Sequence, residues 1–322
     1  MAGSFLRKLT QKEGHGAMYD IIVVGGGPAG LTAALYAARA GKSVLVLEKT
    51  APGGQIIDSP LVENYPGLPG VSGADFALGL SAQVERLGIG TVSAAVRGLR
   101  PMEAGYGVQT GRGEYEGRAV VLAVGSRHRR LDLEGEEELV GRGVSYCAVC
   151  DGPFYRGKAV AVVGGGSTAL QDALLLADLC ESVTVIHRRD QFRGEARLVE
   201  KVKRRANIRL MMNCAPEELL REDGRVSGLR LKHLGTGEER ILAAEGVFAA
   251  VGRQPETAPF AGMVALDEGG YVMAGEDCRT GLPGVFAAGD CRTKAVRQLT
   301  TAVADGTVAA LAACRFCDGE KT

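Results

Sequence analysis

Apolar positions along the 322-residue chain follow two rhythms. Unbroken apolar runs at Ile21–Val24, Val44–Leu47, Ala119–Ala123, Val160–Val163, Val183–Ile186 and Val247–Val251 have the length of strands buried on both faces. Between the first two runs, apolar residues recur at i, i+3, i+4 and i+7: Leu31, Ala34, Leu35, Ala38. The same spacing returns between Val160–Val163 and Val183–Ile186, at Leu170, Ala173, Leu174 and Ala177. That spacing predicts helices. Strand, helix and strand in this order are crossover units feeding a parallel sheet, so the fold class is α/β. Gly284–Asp290 reads as a further strand ending in an acid, with a helix beginning near Arg297 and Gln298.

The two units are copies of one another. Shifting the chain by 139 residues lays Asp20–Lys49 on Ala159–Arg188 without a gap, and 12 of the 30 pairs are identical. Each first strand runs into a glycine turn that opens a helix: Gly25-x-Gly27-x-x-Gly30, enclosing Pro28 and Ala29, and Gly164-x-Gly166-x-x-Ala169, enclosing Ser167 and Thr168. In such a turn the first glycine allows the bend and the second lets the backbone approach a pyrophosphate. The third position keeps helix and strand close, and the helix N-terminus faces the phosphates. A single Gly-rich turn could be only a turn. Two of them, each between a strand and a helix, predict two dinucleotide sites.

The residue 23 positions after the first glycine separates the ligands. In the first copy it is Glu48, whose carboxylate accepts hydrogen bonds from free ribose hydroxyls and repels a 2′-phosphate. In the second it is His187, followed by Arg188, Arg189 and Arg193, and guanidinium groups match phosphate geometry. The first copy is therefore expected to bind FAD and the second NADPH. Gly125 and Gly252 end two apolar strands and are expected to mark crossings between domains. Gly53-Gly54-Gln55, the Asn64 loop, Gly289-Asp290 and Arg297-Gln298-Leu299 are candidates to line the flavin. The helix starting there could present its positive end to the ring.

Composition narrows the picture. The 47 glycines are about twice the roughly 23 that average usage would give, without a Gly-X-Y period or proline enrichment. Lys plus Arg equals Asp plus Glu at 38 each, which argues against a nucleic-acid or membrane-surface role driven by a basic face. The longest uncharged stretch, Ile21–Ala38, is cut by Gly25-Gly26-Gly27-Pro28 and is not expected to span a membrane. Residues 1–17 read as an N-terminal tail whose start lacks the apolar core of a signal peptide, so the expected compartment is the cytoplasm.

Eight cysteines are too dilute for a disulfide scaffold. Two pairs have CxxC spacing, Cys147/Cys150 and Cys314/Cys317. The first could be a redox dithiol or, joined by the second, a zinc site. Asp151 beside it favours redox chemistry, because thiol–disulfide exchange needs a proton carrier near the thiolates. No metal site is expected. Cys314 and Cys317 fall at the end of the last helix and read first as buried or incidental.

Taken in order, Gly25–Gly30, Gly53-Gly54-Gln55, Glu63–Gly67, Cys147–Gly152, Gly164–Ala169, His187–Arg193, Gly284–Asp290 and Arg297-Gln298 resemble the bacterial low-molecular-weight NADPH-dependent thioredoxin reductases. The resemblance covers residues 18–318. It implies two Rossmann-like domains of the three-layer ββα type, with an NADPH domain (129–252) inserted into an FAD domain (18–128 and 253–322), and a homodimer. It also implies electron flow from NADPH through FAD and the Cys147–Cys150 pair to the disulfide of thioredoxin or a thioredoxin-like protein. In that scheme Cys150 faces the flavin, Cys147 attacks the partner and Asp151 is the acid. Because the cysteines and the NADPH site share the inserted segment, that segment must rotate about its linkers if both are to visit one flavin face. Val124 stands where the family usually has Thr, and Pro255-Glu256-Thr257 replaces the commoner Pro-Asn-Thr. The alternative is an FAD-dependent dithiol oxidase, or a similar enzyme with another electron donor or partner.

Overall fold

The computed structural model describes residues 18–59 and 61–320; the tail expected over residues 1–17 lies outside them. In chain order the first elements are β1 (Met18–Val24), α1 (Pro28–Arg39), β2 (Val44–Glu48), α2 (Gly73–Arg86), β3 (Gly90–Ser93), β4 (Val96–Met102), β5 (Gly105–Thr110) and β6 (Gly113–Leu122). Then come β7 (Ser126–His128), β8 (Val144–Ser145), the one-turn helix α3 (Ala148–Asp151), β9 (Ala159–Val163), α4 (Ser167–Ala177), β10 (Ser182–His187) and α5 (Ala196–Lys203). The strands β11 (Ile208–Met212), β12 (Cys214–Glu222), β13 (Arg225–His233), β14 (Glu239–Ala243) and β15 (Gly246–Ala249) follow. β16 (Arg253–Pro255), β17 (Val285–Ala287) and α6 (Leu299–Cys317) complete the order.

Two compact units result. One runs to Arg127 and resumes at Gln254; the other spans His128–Arg253. The chain passes between them through β7 and β16, which pair as a two-stranded ribbon. The first unit is built on parallel strands in the order β3-β2-β1-β6, with β17 also paired to β6. β5 and β4 extend from β6 as an antiparallel meander. The second unit repeats the plan, with a parallel sheet β11-β10-β9-β15-β8 and a separate antiparallel meander β12-β13-β14.

The unbroken apolar runs are explained by layers on both faces of each sheet. In β1, Ile21 and Val23 join the core under the helices, whereas Ile22 and Val24 join the core against the meander. In β9, Val160 and Val162 face the helices while Ala161 and Val163 face the meander. With side chains alternating across the strand, neither face can be polar.

The helical stripe of α1 is broader than its spacing predicts. Leu35 and Ala38 are only half-buried, and burial turns toward Ala33 and Ala37. The cause is α6, which packs on α1 through small residues: Ala309, Ala310 and Ala313 share a core with Ala29, Ala33 and Ala37. A methyl group added at Gly306 would stand 2.2 Å from the Ala29 carbonyl oxygen, so the two backbones meet at van der Waals contact. Among the described residues α6 is the one helix long and apolar enough to cross a membrane; its small face is packed in this core.

One charged group ties this helix to the sheet edge. Asp305 of α6 accepts from Arg292 Nε and Nη2 at 2.8 Å each, from Lys294 Nζ at 2.8 Å and from the Gly289 amide at 2.9 Å. Burial pushes the Asp305 carboxyl up, but the Arg292 and Lys294 bonds outweigh it and hold it below the usual carboxylate value. Its stabilising contribution is therefore present above the unfolded carboxylate range and lost as pH falls through the lowered value. Replacing Asp305 by Ala removes the counter-ion of buried Lys294 and leaves buried Arg292 only the exposed Glu276 at 3.3 Å, and is expected to cost about 3–5 kcal/mol in denaturant unfolding at pH 7. An unchanged midpoint would contradict this account.

Candidate functional site

Parallel pairing places the carboxyl ends of β1, β2, β6 and β17 on one edge of the first sheet. The predicted flavin residues gather there. The Gly25–Gly30 turn leaves β1, and the Gly53 amide bonds the Gly26 carbonyl at 2.7 Å, seating the Gly54 loop beside Gly27. Gln55 Nε2 donates to the Ser126 carbonyl, next to Gly125. A methyl group on Gly289 would lie 2.9 Å from the Ala29 Cβ, so the turn carrying Asp290 abuts the start of α1. Asn64 and Gln298, far apart in sequence, bond at 3.3 Å. Leu299 begins α6, with Gln298 as its N-cap in a capping box closed by Thr301.

Glu48 ends β2 nearly buried. One of its oxygens accepts from the Gly26 amide at 2.6 Å and the other from Thr50 N at 2.9 Å. Arg297 is more engaged than its sequence position suggests. Its guanidinium donates to the carbonyls of Asp290, Lys294 and Arg292, and it lies 4.1 Å over the Tyr271 ring, so it staples the loop from 290 to 294.

The turn glycines test whether a dinucleotide fits. Gly25 and Gly164 have φ of 106° and 156°, and a methyl group on either would collide with a backbone carbonyl, so the fold alone requires them. Gly27 and Gly166 differ. Their φ values of −75° and −91° suit any residue, and added methyls would meet nothing closer than 3.9 Å. Neither strain nor packing demands glycine there; close approach of a pyrophosphate does. Among the described residues no side chain caps α1 or α4, which leaves first-turn amides for an anion. The residues present fit FAD and NADPH.

On the second sheet β9, β10, β15 and β8 likewise end on one edge. The Gly164–Ala169 turn follows β9, and Ser167 and Thr168 open α4. The loop after β10 is stitched to that turn: the amides of Arg193 and Gly194 donate to the Gly165 carbonyl at 2.8 and 3.2 Å. Glu195 N donates to Ser167 Oγ at 3.1 Å. Arg188, Arg189 and Arg193 are exposed and, among the described residues, form no ion pair. His187, expected among the NADPH-binding residues, is engaged by its own loop. Its ring is buried over Gly165, stacks on Phe192 at 5.4 Å and donates from Nε2 to the Gln191 carbonyl at 3.0 Å. It braces the loop, and the three arginines face outward.

The redox pair sits on the same edge because β8 is parallel to β15. β8 delivers the chain directly into Cys147, the N-cap of α3, and Cys147 and Cys150 are joined by a disulfide. The Cys150 amide lies 3.2 Å from Cys147 Sγ. Asp151 follows in the same turn, and burial raises its carboxyl above the usual value, against a hydrogen bond from Ser145 that lowers it. A carboxyl with raised affinity for a proton beside a dithiol is suited to proton transfer. Ser145 carried no signal in the sequence, since nothing marks a serine two residues before a CxxC.

The other six cysteines are free thiols and all are buried. Burial raises each of them, Cys278 to about 12 and Cys291 and Cys317 to about 11. Cys314 and Cys317 are not on a frayed end: α6 runs through both, and Cys317 Sγ donates to the Asp20 carbonyl at 3.3 Å. The two departures from the family pattern also find places. Glu256 pairs with Arg127 at 2.7 Å and with Lys49, and Val124 packs against the meander-side core.

Residues 19–306 match the family of pyridine nucleotide-disulphide oxidoreductases. The chain belongs to that family. It is 39% identical to a thioredoxin reductase of Listeria monocytogenes over 91% of this chain and 92% of that one. With a thioredoxin reductase of Treponema pallidum it shares 40% identity over 93% and 97% of the two chains. The crystal structure of a thioredoxin reductase from Streptococcus pyogenes superposes with a TM-score of 0.90 at 37% identity, covering 95% of this chain and all of that one. As a member of the family the chain is an FAD- and NADPH-dependent disulfide reductase.

A second titrating carboxylate lies on α4, the helix that packs on α3. Burial raises Asp172 to about 6, with Arg253 opposing. The folded state thus binds the proton more tightly than the unfolded state, and stability falls as pH rises through that window. Asp172→Asn should raise the melting temperature by about 3 °C at pH 7.5, with the gap closing toward pH 4. A gap independent of pH would rule out this assignment.

Proposed function

We propose that the chain passes electrons from NADPH to the disulfide of thioredoxin or a thioredoxin-like protein through its Cys147–Cys150 pair. The observation that carries this reading is the placement of that disulfide, with Asp151, on the sheet edge that also bears the Gly164 turn and the arginine loop. When bound, NADPH supplies a hydride and FAD relays the electron pair to the disulfide. Gly25, Gly27, Pro28, Ala29 and Gly30 cradle the FAD pyrophosphate, and Glu48 holds its adenosine ribose. Gly54, Gln55, Asn64, Gly125, Gly289, Asp290, Gln298 and Leu299 line the remainder, with Arg297 fixing their loop.

The NADPH pyrophosphate meets Gly164, Gly166, Ser167, Thr168 and Ala169, and the 2′-phosphate meets Arg188, Arg189 and Arg193. Gly125 and Gly252, both left-handed glycines with φ of 69° and 116°, immediately precede the linker strands β7 and β16, about which the NADPH domain (129–252) turns against the FAD domain (18–128 and 253–322). Cys150 exchanges electrons with the flavin side, Cys147 attacks the partner and Asp151 carries the proton. The enzyme works in the cytoplasm as a homodimer, for which the exposed Tyr36, Leu78, Val308 and Leu311 on the helices of the first unit offer apolar surface.

The relatives at 39% and 40% identity are thioredoxin reductases, which weighs against the oxidase alternative. The deciding assay is NADPH oxidation with a thioredoxin as acceptor. Wild type is expected to turn over and Cys147→Ser to fall to background; persistent turnover of the Ser variant would remove the redox pair from the mechanism. The Arg188→Ala/Arg193→Ala enzyme should show a KM for NADPH raised about 10–100-fold, the value of one or two charge-assisted hydrogen bonds. Its KM for NADH should not change. Equal loss with both nucleotides would place the 2′-phosphate elsewhere.

A further inference from the structure

Ser145 closes β8 at 2% exposure, and its hydroxyl is the centre of a small hydrogen-bond chain. The Cys147 amide lies 3.1 Å from Ser145 Oγ and donates to it. Ser145 Oγ in turn lies 2.6 Å from Asp151 Oδ2 and 3.4 Å from the Cys147 carbonyl oxygen. A hydroxyl carries one proton and two lone pairs. With Asp151 ionised, Ser145 donates to Oδ2. With Asp151 protonated, the acid donates to Ser145 Oγ, and the serine proton turns to the Cys147 carbonyl. The Cys147 amide keeps its acceptor in both arrangements, so neither protonation state strands a buried polar group.

We infer that Ser145 is the positioning residue of the proton step, a hydroxyl rotor that lets Asp151 gain and lose its proton without reorganising the redox turn. The inference rests on the reading of Asp151 as the proton carrier. In the exchange, the Cys147 thiolate attacks a sulfur of the partner disulfide and the partner S–S bond breaks. Cys150 then attacks Cys147 Sγ, re-forming the Cys147–Cys150 bond and releasing the second partner sulfur. Asp151 takes the proton of each attacking thiol and returns it to a departing partner thiolate. Two electrons and two protons leave the dithiol for the partner, and Asp151 ends as it began. It gains and loses a proton twice per turnover, which is what the rotor accommodates.

The test is the pH profile of kcat/KM for a thioredoxin disulfide, measured on the flavin-loaded enzyme as wild type, Ser145→Ala, Ser145→Thr, Asp151→Asn and the Ser145→Ala/Asp151→Asn double variant. Stopped-flow bleaching of the flavin by NADPH reports the other half-reaction. Ser145→Ala should lower kcat/KM about tenfold at pH 7, less than the 10²–10⁴ that general acid–base catalysis supplies in full. It should also move the acidic limb, on which Asp151 must be ionised to accept the thiol proton, to higher pH, because the lost bond favoured the carboxylate. Ser145→Thr keeps a hydroxyl and should restore the limb. Ser145→Ala should add nothing to Asp151→Asn and leave flavin bleaching unchanged. A uniform loss at every pH, or a loss that multiplies in the double variant, would overturn the rotor while leaving Asp151 in place. An Asp151→Asn enzyme with the wild-type profile would instead remove Asp151 as proton carrier.

Discussion

Parallel strand pairing is the constraint on which the molecule depends. A parallel neighbour can be reached only by a crossover, so each β1-type strand must be followed by a helix that covers the sheet. Both faces are then buried, and every paired parallel strand releases its chain at the same edge. That geometry brings the turn after β1, the carboxylate at the end of β2 and the acid beyond β17 into one place, though they lie as much as 265 residues apart. The same rule in the second unit brings a nucleotide turn and a disulfide together, because β8 enters the sheet as a parallel edge strand.

The edges are held by different means. In the first unit a buried aspartate on α6 gathers an arginine, a lysine and a backbone amide, so the turn at Gly289 is fixed from the helix behind it. In the second, a buried imidazole and two backbone amides tie the arginine loop to the glycine turn. The arginine loop thus has a braced backbone, while Arg188, Arg189 and Arg193 stay exposed and, among the described residues, form no ion pair. A brace that used the arginines themselves would have neutralised the charge the loop presents.

Much of this was legible in the sequence, for reasons that are local. The repeat, the glycine turns and the apolar runs are statements about neighbouring residues, and each follows from backbone geometry. Glu48 and the arginine cluster were legible because they fall at a fixed offset within a repeated unit. What escaped is non-local or conditional. Arg297 carries a charge that sequence position assigns to a ligand, yet its donors are engaged by carbonyls that only the folded loop brings near. His187 occupies the offset of a ligand-binding residue, but the missing side chain of Gly165 opens a slot that takes its ring. The burial of α1 rotated because α6, from the far end of the chain, covers its other side. Asp305 and Ser145 are single polar residues in apolar surroundings, and nothing adjacent to them in sequence announces a partner.

The six buried thiols acquire a meaning from the chemistry around them. An enzyme that hands electrons to disulfides is bathed in species able to trap any accessible thiolate as a mixed disulfide. Here every thiol outside the Cys147–Cys150 pair is both shielded by packing and held in its unreactive protonated form. The electron current therefore has a single terminal on the protein surface, and the surrounding fold acts as its insulation.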